Sequence, residues 1–514
     1  MSSRDLSSAR SRRLRDLPAG LVVACFLVAA VAVLPLYYLI RRAFSGGPQA
    51  AWAVLARPRM WMLLTNTVDL VVVVCAGATV LGVLTAWAVT RLRLPVPRLW
   101  VVLACLPLAV PSFVATFAWR SVFPHQHGFW PLAIVLIASS APFVTVPTMA
   151  AFSQADHGLA DVARSLGRSR AYVFLTITLP QVLPATAAGS VIVALYTLAD
   201  FGAPAMMRYD TLTTGVFALI TAGSSRFAPA VMGVVITLIA ALLVLLENVF
   251  RTRHHRAVSA GYAAARSRLS GPLTALACAG LSAVAAASVA APIGALLFRS
   301  LKNTRYETDW SRLADAALTT LVFGFAAATL AAAVGLPLAY IAARVRARTV
   351  TFLEMATFSA HALPGVVLAL AMVSLTLQAA PWAYQTMGAL VVAYVLLYLP
   401  KGVGAVRAGF QQVPVGAEEA ARTLGDSKLR VWRRVCLPQA LPAIGAGWLL
   451  VATAVMKELP VTLMLRPTGT HTLATELWNS SSLGAYGAAA PAGLALMLVG
   501  IIPSLMLARR IDLP

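Results

Sequence analysis

Long apolar segments dominate this chain and restrict what it can fold into. Of its 514 residues, 60% are hydrophobic and 11% are charged, whereas soluble domains carry about 25% charged residues. A segment of about 20 apolar residues is long enough to cross a lipid bilayer as a helix. The pattern therefore predicts an all-α membrane protein with about twelve transmembrane helices.

The predicted spans form two groups of six. In the first group they cover 19–40, 62–90, 98–121, 129–151, 177–201 and 227–250, and in the second 271–298, 314–343, 351–379, 383–402, 441–465 and 486–508. The corresponding domains are a cytoplasmic N-terminal tail (1–18), a first six-span half (19–250), a cytoplasmic linker (251–270), a second six-span half (271–508) and a cytoplasmic C-terminal tail (509–514).

The positive charge of the chain fits this topology. A net charge of +23 would also be typical of nucleic-acid binding, but 28 of the 41 Lys and Arg residues lie in alternate connections between apolar segments and in the tails. Cytoplasmic loops of membrane proteins carry such an excess of basic residues. We therefore expect a lipid bilayer and no nucleic acid as partner, with both termini in the cytoplasm.

The two halves are repeats of each other. Twelve of the twenty-five positions of the polar segment 161–185 are identical in 419–443, at an offset of 258. Because six spans separate the copies, both lie on the same side of the membrane, as in a parallel repeat with a pseudo-two-fold axis along the membrane normal. Further matches, at an offset of 253, pair Thr67 with Thr320, Arg91 with Arg344 and Pro111 with Pro364.

Each copy of the polar segment predicts a helix, a turn and a second helix. In the second copy Glu418 lies in a first turn, where the helix dipole favours acids, and Gly425 is expected just after the helix end. Asp426 or Ser427 can cap the next helix. Pro438 then governs entry into the following span.

This segment resembles the EAA loop of ABC importer permeases. The resemblance rests on Glu419-Ala420-Ala421, then Gly425, then Leu437-Pro438; the first copy has Asp161 for Glu and Val162 for Ala. It implies that each loop docks into a cleft of a partner ATPase. The residues expected to couple are Asp161, Ala163, Arg164, Leu166, Gly167, Ser169 and Pro180 in the first copy, and Glu418, Glu419, Ala420, Ala421, Leu424, Gly425 and Pro438 in the second.

The whole chain is similar to the fused, double-length permeases of the ferric-iron type, which have thiamine and phosphonate relatives. The segment from Glu458 to Trp478 is close to the ferric-type pattern. The resemblance implies a type I importer permease in the bacterial cytoplasmic (inner) membrane, with two copies of an ABC ATPase and an extracytoplasmic substrate-binding protein as partners. Ferric iron is the expected substrate, and thiamine or an aminophosphonate is the alternative.

The sequence contains no motif typical of nucleotide binding, catalysis or metal binding. It has no GxxxxGK[ST] loop to hold ATP phosphates, no catalytic constellation and no Cys/His spacing typical of a metal site. We therefore expect no enzyme activity and no cofactor on this chain, with ATP and Mg on the partner ATPase. A twelve-span secondary transporter is the alternative of another class, but it gives no reason for the repeated polar segment.

Two pairs of residues are candidates for translocation or gating. Asp200 and Glu458 lie toward the end of the fifth predicted span of each half, one repeat apart. They either line the substrate path or cap the end of a span. Pro111 and Pro364 also match across the repeat, and we expect them to bend gating helices.

Overall fold

The computed structural model describes residues 19–155, 157–223, 226–257, 271–302, 308–345 and 347–509. The expected tail 1–18, most of the expected linker and residues 510–514 lie outside the described residues. Within the described ranges the chain forms helices and no β-strand, as predicted.

Thirteen helices of the described chain precede the linker. In chain order they are α1 (Ala19–Ala43), α2 (Gly47–Leu55), α3 (Pro58–Arg91), α4 (Pro97–Cys105), α5 (Ser112–Val122), α6 (Phe129–Ser140), α7 (Pro142–Gln154), α8 (His157–Ser165), α9 (Arg170–Val173), α10 (Leu179–Ala199), α11 (Gly202–Met206), α12 (Leu212–Thr221) and α13 (Phe227–Ala257).

Twelve helices of the described chain follow the linker. They are α14 (Gly271–Ala285), α15 (Ala291–Leu301), α16 (Trp310–Arg344), α17 (Arg348–Phe358), α18 (Gly365–Ala379), α19 (Met387–Gln412), α20 (Val415–Thr423), α21 (Lys428–Val431), α22 (Leu437–Met456), α23 (Pro460–Leu465), α24 (Leu473–Ser482) and α25 (Tyr486–Arg509).

Most of the predicted spans are continuous, but three are broken. The predicted span 441–465 is divided between α22, which ends at Met456, and α23, which begins at Pro460. Among the described residues, ten segments are long and apolar enough to cross a membrane, and the pair 97–109 and 112–122, bent by 89°, makes an eleventh. That pair is the predicted span 98–121. The predicted span 351–379 is divided at the matching place, between α17 and α18.

The chain folds into two compact units that do not follow the sequence halves. Unit 1 comprises the described residues up to Ser45 together with Ala316–Thr472, and unit 2 comprises Gly46–Asp315 together with the described residues from Leu473 onward. The first long helix of each sequence half therefore belongs to the unit that contains most of the other half, and the last two helices of the second half, α24 and α25, also belong to unit 2.

Specific contacts hold these first helices in place. In unit 1, α1 packs on α17 and α18, and the hydroxyl of Ser359 donates to the carbonyl of Ala32 at 3.4 Å. In unit 2, α15 packs on α5 and α25. A Cβ added to Gly493 of α25 would lie 3.0 Å from Leu296 of α15, so glycine is what permits this close approach.

Short helices follow the fifth long helix of each half and were not predicted. They are α11 and α12 in unit 2 and α23 in unit 1, with α24 in unit 2. Thr211 caps α12 through reciprocal hydrogen bonds with Thr214, the arrangement of a capping box. These short helices place the two acids that the sequence singled out.

Candidate functional site

Each sequence half carries a polar elbow of the same construction. The first elbow (residues 157–178) consists of α8, α9 and the π-helical turn Phe174–Thr178, and the second elbow (residues 415–436) of α20, α21 and the π-helical turn Trp432–Cys436. Every boundary in the second elbow lies 258 positions after its counterpart in the first. The sequence repeat is therefore also a repeat of backbone structure.

A glycine ends the first helix of each elbow. Gly167 and Gly425 have φ of +81° and +90°, a conformation that favours glycine because it has no Cβ. The amide of Gly425 donates to the carbonyl of Arg422 at 3.0 Å, and the amide of Asp426 donates to that of Ala421 at 3.1 Å. The first elbow repeats both bonds. This is the Schellman motif, so the predicted place of glycine after the helix end is confirmed.

A serine begins the second helix of each elbow. Ser169 accepts a hydrogen bond from the amide of Tyr172 at 3.3 Å, and Ser427 accepts one from the amide of Arg430 at 3.4 Å. Asp426, the other candidate cap, instead forms an ion pair with Arg430 at 3.2 Å. The serine caps and the glycine turns together fix the angle between the two helices of each elbow.

A widened turn and a proline join each elbow to its long helix. The amide of Leu179 donates to the carbonyl of Phe174, five residues earlier, and Leu437 and Trp432 repeat this bond. Pro180 and Pro438 come next. Proline has no N–H to donate and its ring collides with the carbonyl four residues earlier, so the wider turn just before it accommodates both defects.

Most of the residues predicted for coupling lie on the surface of the elbows. Leu166 and Leu424, at matching positions, are 76% and 87% exposed. Ala163 and Ala421 are half-buried. The remaining exposed members of the predicted set are Asp161, Arg164, Gly167, Ser169, Pro180, Glu419, Ala420, Gly425 and Pro438.

Glu418 is the exception, because its side chain is buried. Its carboxylate forms an ion pair with Arg344, at the end of α16, at 2.7 Å, and the two side chains are 1% and 6% exposed. Arg344 also donates to the carbonyl of Val413 at 2.9 Å. Glu418 therefore ties the second elbow to α16 and does not belong to the exposed face.

The first elbow lacks this ion pair. The position of Glu418 is occupied by Ala160, and the counterpart of Arg344 is Arg91. The guanidinium of Arg91 lies over the ring of Phe152 at 5.3 Å. The two elbows are thus alike in their backbone and different in how they are attached to the membrane helices.

The matched acids cap the short helices that follow them. Asp200 accepts a hydrogen bond from the amide of Ala203 at 3.0 Å, and Glu458 accepts one from the amide of Val461 at 3.2 Å. The hydroxyl of Tyr398 also donates to Glu458. Both acids therefore stabilise the first turn of the short helix after the span, and not the end of the span itself; their part in the substrate path stays a prediction.

Room for Glu458 comes from a glycine on α18. A Cβ added to Gly365 would lie 2.8 Å from an oxygen of Glu458. In the first half the counterpart of Gly365 is Ser112, and the second carboxylate oxygen of Asp200 is buried with no hydrogen-bond partner among the described residues. The two acids therefore have different surroundings.

Pro111 and Pro364 mark helix breaks. Each lies in extended conformation immediately before a helix, with φ and ψ of −61° and 141° for Pro111 and −53° and 149° for Pro364. The predicted bends are therefore interruptions between two separate helices. Their part in gating stays a prediction.

Two lysines next to Glu458 were missed as site residues. The predicted span 383–402 ended next to Lys401, which was therefore counted among the basic residues of the following cytoplasmic connection, but α19 continues to Gln412. Lys457 directly follows α22. Lys401 lies over the ring of Tyr398 at 4.9 Å and is close enough to Glu458 and Lys457 to interact with both electrostatically. The end of α19 was predicted too early because the residues after Lys401 are small or polar.

A family model matches this chain twice. The model is described as "Binding-protein-dependent transport system inner membrane component" and matches residues 78–260 and 335–512. One match falls in each predicted half, and each contains one complete elbow.

Three named proteins that are similar to this chain are permease proteins of transport systems. The chain is 31% identical over 495 residues to the Fe(3+)-transport system permease protein FbpB 2 of Haemophilus influenzae, covering 95% of this chain and 98% of that protein. It is 26% identical over 249 residues to the sulfate transport system permease protein CysT of Escherichia coli, covering 45% and 90%. It is 26% identical over 239 residues to the spermidine/putrescine transport system permease protein PotC of the same organism, covering 42% and 88%.

Proposed function

We infer that this chain, which belongs to the inner membrane components of binding-protein-dependent transport systems, supplies both halves of the translocation path of an ATP-binding-cassette importer. Members of this family are permease subunits and not the ATPases. In our proposal, two ABC ATPase subunits with bound ATP and Mg hydrolyse the nucleotide, and an extracytoplasmic binding protein delivers the substrate.

The two elbows carry this proposal. They have the same helix boundaries, the same Schellman turn and the same serine cap, and each presents an exposed leucine. A short helix with small side chains and one protruding leucine suits a hydrophobic groove of a partner. Two such helices in one chain suit two copies of one partner, here the ATPases.

Coupling follows from how the elbows are joined to the long helices. Each elbow runs through a widened turn and a proline directly into α10 or α22. A movement of the docked ATPase therefore acts on the fifth long helix of each half and on the acid at its far end, Asp200 or Glu458. In our proposal these acids and the helix breaks at Pro111 and Pro364 are the parts that change between outward and inward access.

Ferric iron is the substrate that we propose. The relative named as a ferric permease aligns over almost its full double length, whereas the sulfate and spermidine/putrescine permeases align over less than half of this chain. Thiamine and aminophosphonates stay alternatives within the same class of transporter. We place the elbows and both termini in the cytoplasm, on the distribution of Lys and Arg.

The coupling role is tested by changing the exposed leucines. Leu166→Arg or Leu424→Arg places a charge where the proposal requires burial, so binding of the ATPase should weaken by about tenfold or more, as for a central interface residue. The measurement is the amount of ATPase that co-purifies with each variant. Leu301→Arg is the matched control, because Leu301 is 85% exposed and lies at the end of α15 that we place outside the cytoplasm. Unchanged co-purification of both elbow variants would overturn the coupling role.

The substrate is tested by uptake. Liposomes that contain this chain and its ATPases, supplied with the binding protein and ATP, should accumulate radioactive ferric iron only when ATP is present. Uptake of thiamine or an aminophosphonate and not of iron would replace the substrate while keeping the transporter class. Uptake without ATP would overturn the class.

A further inference from the structure

A lysine lies in the middle of a membrane-spanning helix. Lys401 is 14 residues after the start of α19 and 11 residues before its end, or about 21 Å and 16 Å from the two ends at 1.5 Å per residue. A charged residue so placed almost always faces the interior of the bundle or a water-filled space.

The exposed residues that share a face of α19 with Lys401 are small or polar. Its side chain is exposed, and so are Gly404, Ala408 and the last two residues of the helix, both glutamine. These positions lie on one side of the helix, three to four residues apart. The large apolar side chains that α19 exposes, Met387 and Val392, are in the other half of the helix. A helix face toward lipid would carry such apolar side chains.

The cluster around Lys401 has an excess of positive charge. Lys401 lies over the ring of Tyr398, the hydroxyl of Tyr398 donates to Glu458, and Lys457 directly precedes Glu458 in the chain. The carboxylate of Glu458 is already engaged by the hydroxyl of Tyr398 and the amide of Val461. Two lysines against one glutamate leave one positive charge in excess.

Only one sequence half carries these cations. At the offset of 258, the counterparts of Lys401, Lys457 and Tyr398 are Phe143, Ala199 and Ser140. Asp200 matches Glu458, so the capping acid belongs to the repeat and the lysines do not. An unmatched, costly charge in the membrane interior is a sign of function rather than of folding.

We propose that Lys401 and Lys457 form an anion-attracting station in the membrane interior of unit 1, and that the substrate passes it as an anion. Resting on the proposed function, this means that ferric iron crosses with oxyanion ligands still attached, as a complex of net negative charge. The bare trivalent cation or a polyamine would be repelled by the two ammonium groups, whereas a small free oxyanion shares the chemistry that the station attracts.

The first test measures the station without any substrate. Gly404 lies one helical turn from Lys401 on the same exposed face, and a Cβ there would meet nothing within 4 Å. In the G404C variant, an anionic methanethiosulfonate should react about tenfold faster than a cationic one, relative to a free thiol, because a cleft of one charge sign concentrates the opposite ion. Adding K401M should remove this preference, and adding K401R should keep it.

Two controls make this test specific. The parent chain gives the background labelling, since Cys25, Cys105 and Cys436 are buried and Cys75 and Cys278 are half-buried. In Q412C, about 16 Å along the helix from Lys401, K401M should change nothing, because that distance exceeds a Debye length of about 8–10 Å. Labelling of G404C by neither reagent, or with the same charge preference in K401M, would overturn the proposal.

The second test measures transport in liposomes with the ATPases and binding protein. Radioactive ferric iron is supplied with excess citrate, and radioactive sulfate serves as the free oxyanion. K401M should lower uptake of the transported anion about tenfold, while K401R should retain it. If the parent chain imports sulfate and not iron, the ferric assignment fails and the station stands. If K401M transports at the rate of the parent chain, or if K401R loses transport as K401M does, the positive charge of Lys401 is not what supports transport. Either result would refute the anion-attracting station.

Discussion

At the scale of single residues, matching positions of the repeat have diverged in role. Glu418 and Ala160 occupy the same place in the two elbows, yet Glu418 is held by Arg344 and is buried. A buried ion pair returns little net stability, because both ions lose their hydration. Its value here is positional, since it fixes the second elbow to the end of α16, whereas the first elbow, with Ala160 at this position, cannot form the same ion pair.

Removing one partner of this pair should destabilise the protein much more than removing both. Glu418→Leu leaves Arg344 buried without its ion-pair partner, which costs about 3–5 kcal/mol, whereas replacing both partners by apolar residues is often neutral. Arg344→Met with Glu418→Leu should therefore recover most of the free energy of unfolding lost in the single variant. Unfolding in detergent solution, by heat or denaturant, measures both.

The matched control is the exposed ion pair of the same elbow. Asp426→Ala removes the partner of Arg430, with side chains 25% and 55% exposed, and such pairs contribute about 1 kcal/mol or less. A double variant as unstable as Glu418→Leu alone would show that the pair is not what anchors the elbow.

At the scale of elements, prolines account for the irregular turns in the long helices. Three π-helical turns occur in the described chain, Phe174–Thr178, Ala286–Ala290 and Trp432–Cys436. Each is followed, after one residue, by a proline. Such turns hold one residue more than the α-helix would. We attribute all three to the carbonyl that a proline ring displaces.

Deleting one residue from such a turn should be tolerated only when the proline is removed as well. Deletion of Val435 returns the turn to α-helical register and brings Pro438 into conflict with a carbonyl one turn earlier, at a cost of about 3 kcal/mol or more. The same deletion with Pro438→Ala should restore most of this stability. Thermal unfolding of both variants is the measurement.

The first elbow provides an independent replicate. Deletion of Ile177, with and without Pro180→Ala, should reproduce the result because the backbone is the same. If either deletion is harmless with its proline in place, the widened turn has another cause.

At the scale of the whole molecule, the first long helix of each half is exchanged. α1 belongs to unit 1 with α16 to α23, and α14 and α15 belong to unit 2. Because each sequence half contributes its first long helix to the unit that contains most of the other half, we expect the two halves to stay together even if the linker is cut.

Crosslinking tests the exchange of α1. Ala32→Cys and Ser359→Cys place thiols where the native side chain and backbone are in hydrogen-bond contact, so a short thiol crosslinker should join them. With a protease site inserted in 258–270, the cut chain should migrate at full length in denaturing electrophoresis only after crosslinking.

The single variant Ala32→Cys should separate into two fragments, which controls for the native cysteines. Arg299→Cys with Ser121→Cys, a contacting pair in unit 2, should likewise join the fragments. Separation of the doubly substituted Ala32 and Ser359 chain would refute the packing of α1 in unit 1.

The sequence by itself determined the features that depend on local chemistry. Apolar length specifies membrane helices, Gly167 and Gly425 specify a left-handed residue after a helix, and Pro111 and Pro364 specify helix breaks. The repeat is visible because these requirements recur at a constant offset. For the same reason the helix, turn and second helix of each elbow were predicted, although the elbows lie at 157–178 and 415–436 and the predicted segments at 161–185 and 419–443.

Only the tertiary structure decided which of these residues meet. Burial of Glu418 depends on Arg344, 74 positions away. The position of Lys401 within α19 was not predicted, because the polar residues at the end of α19 do not look like part of a membrane helix. The exchange of first helices leaves no mark in the sequence, because an apolar helix packs against either half by the same non-directional attraction. Local sequence specifies elements and turns, whereas the choice among equally apolar partners is settled by how the complete surfaces fit.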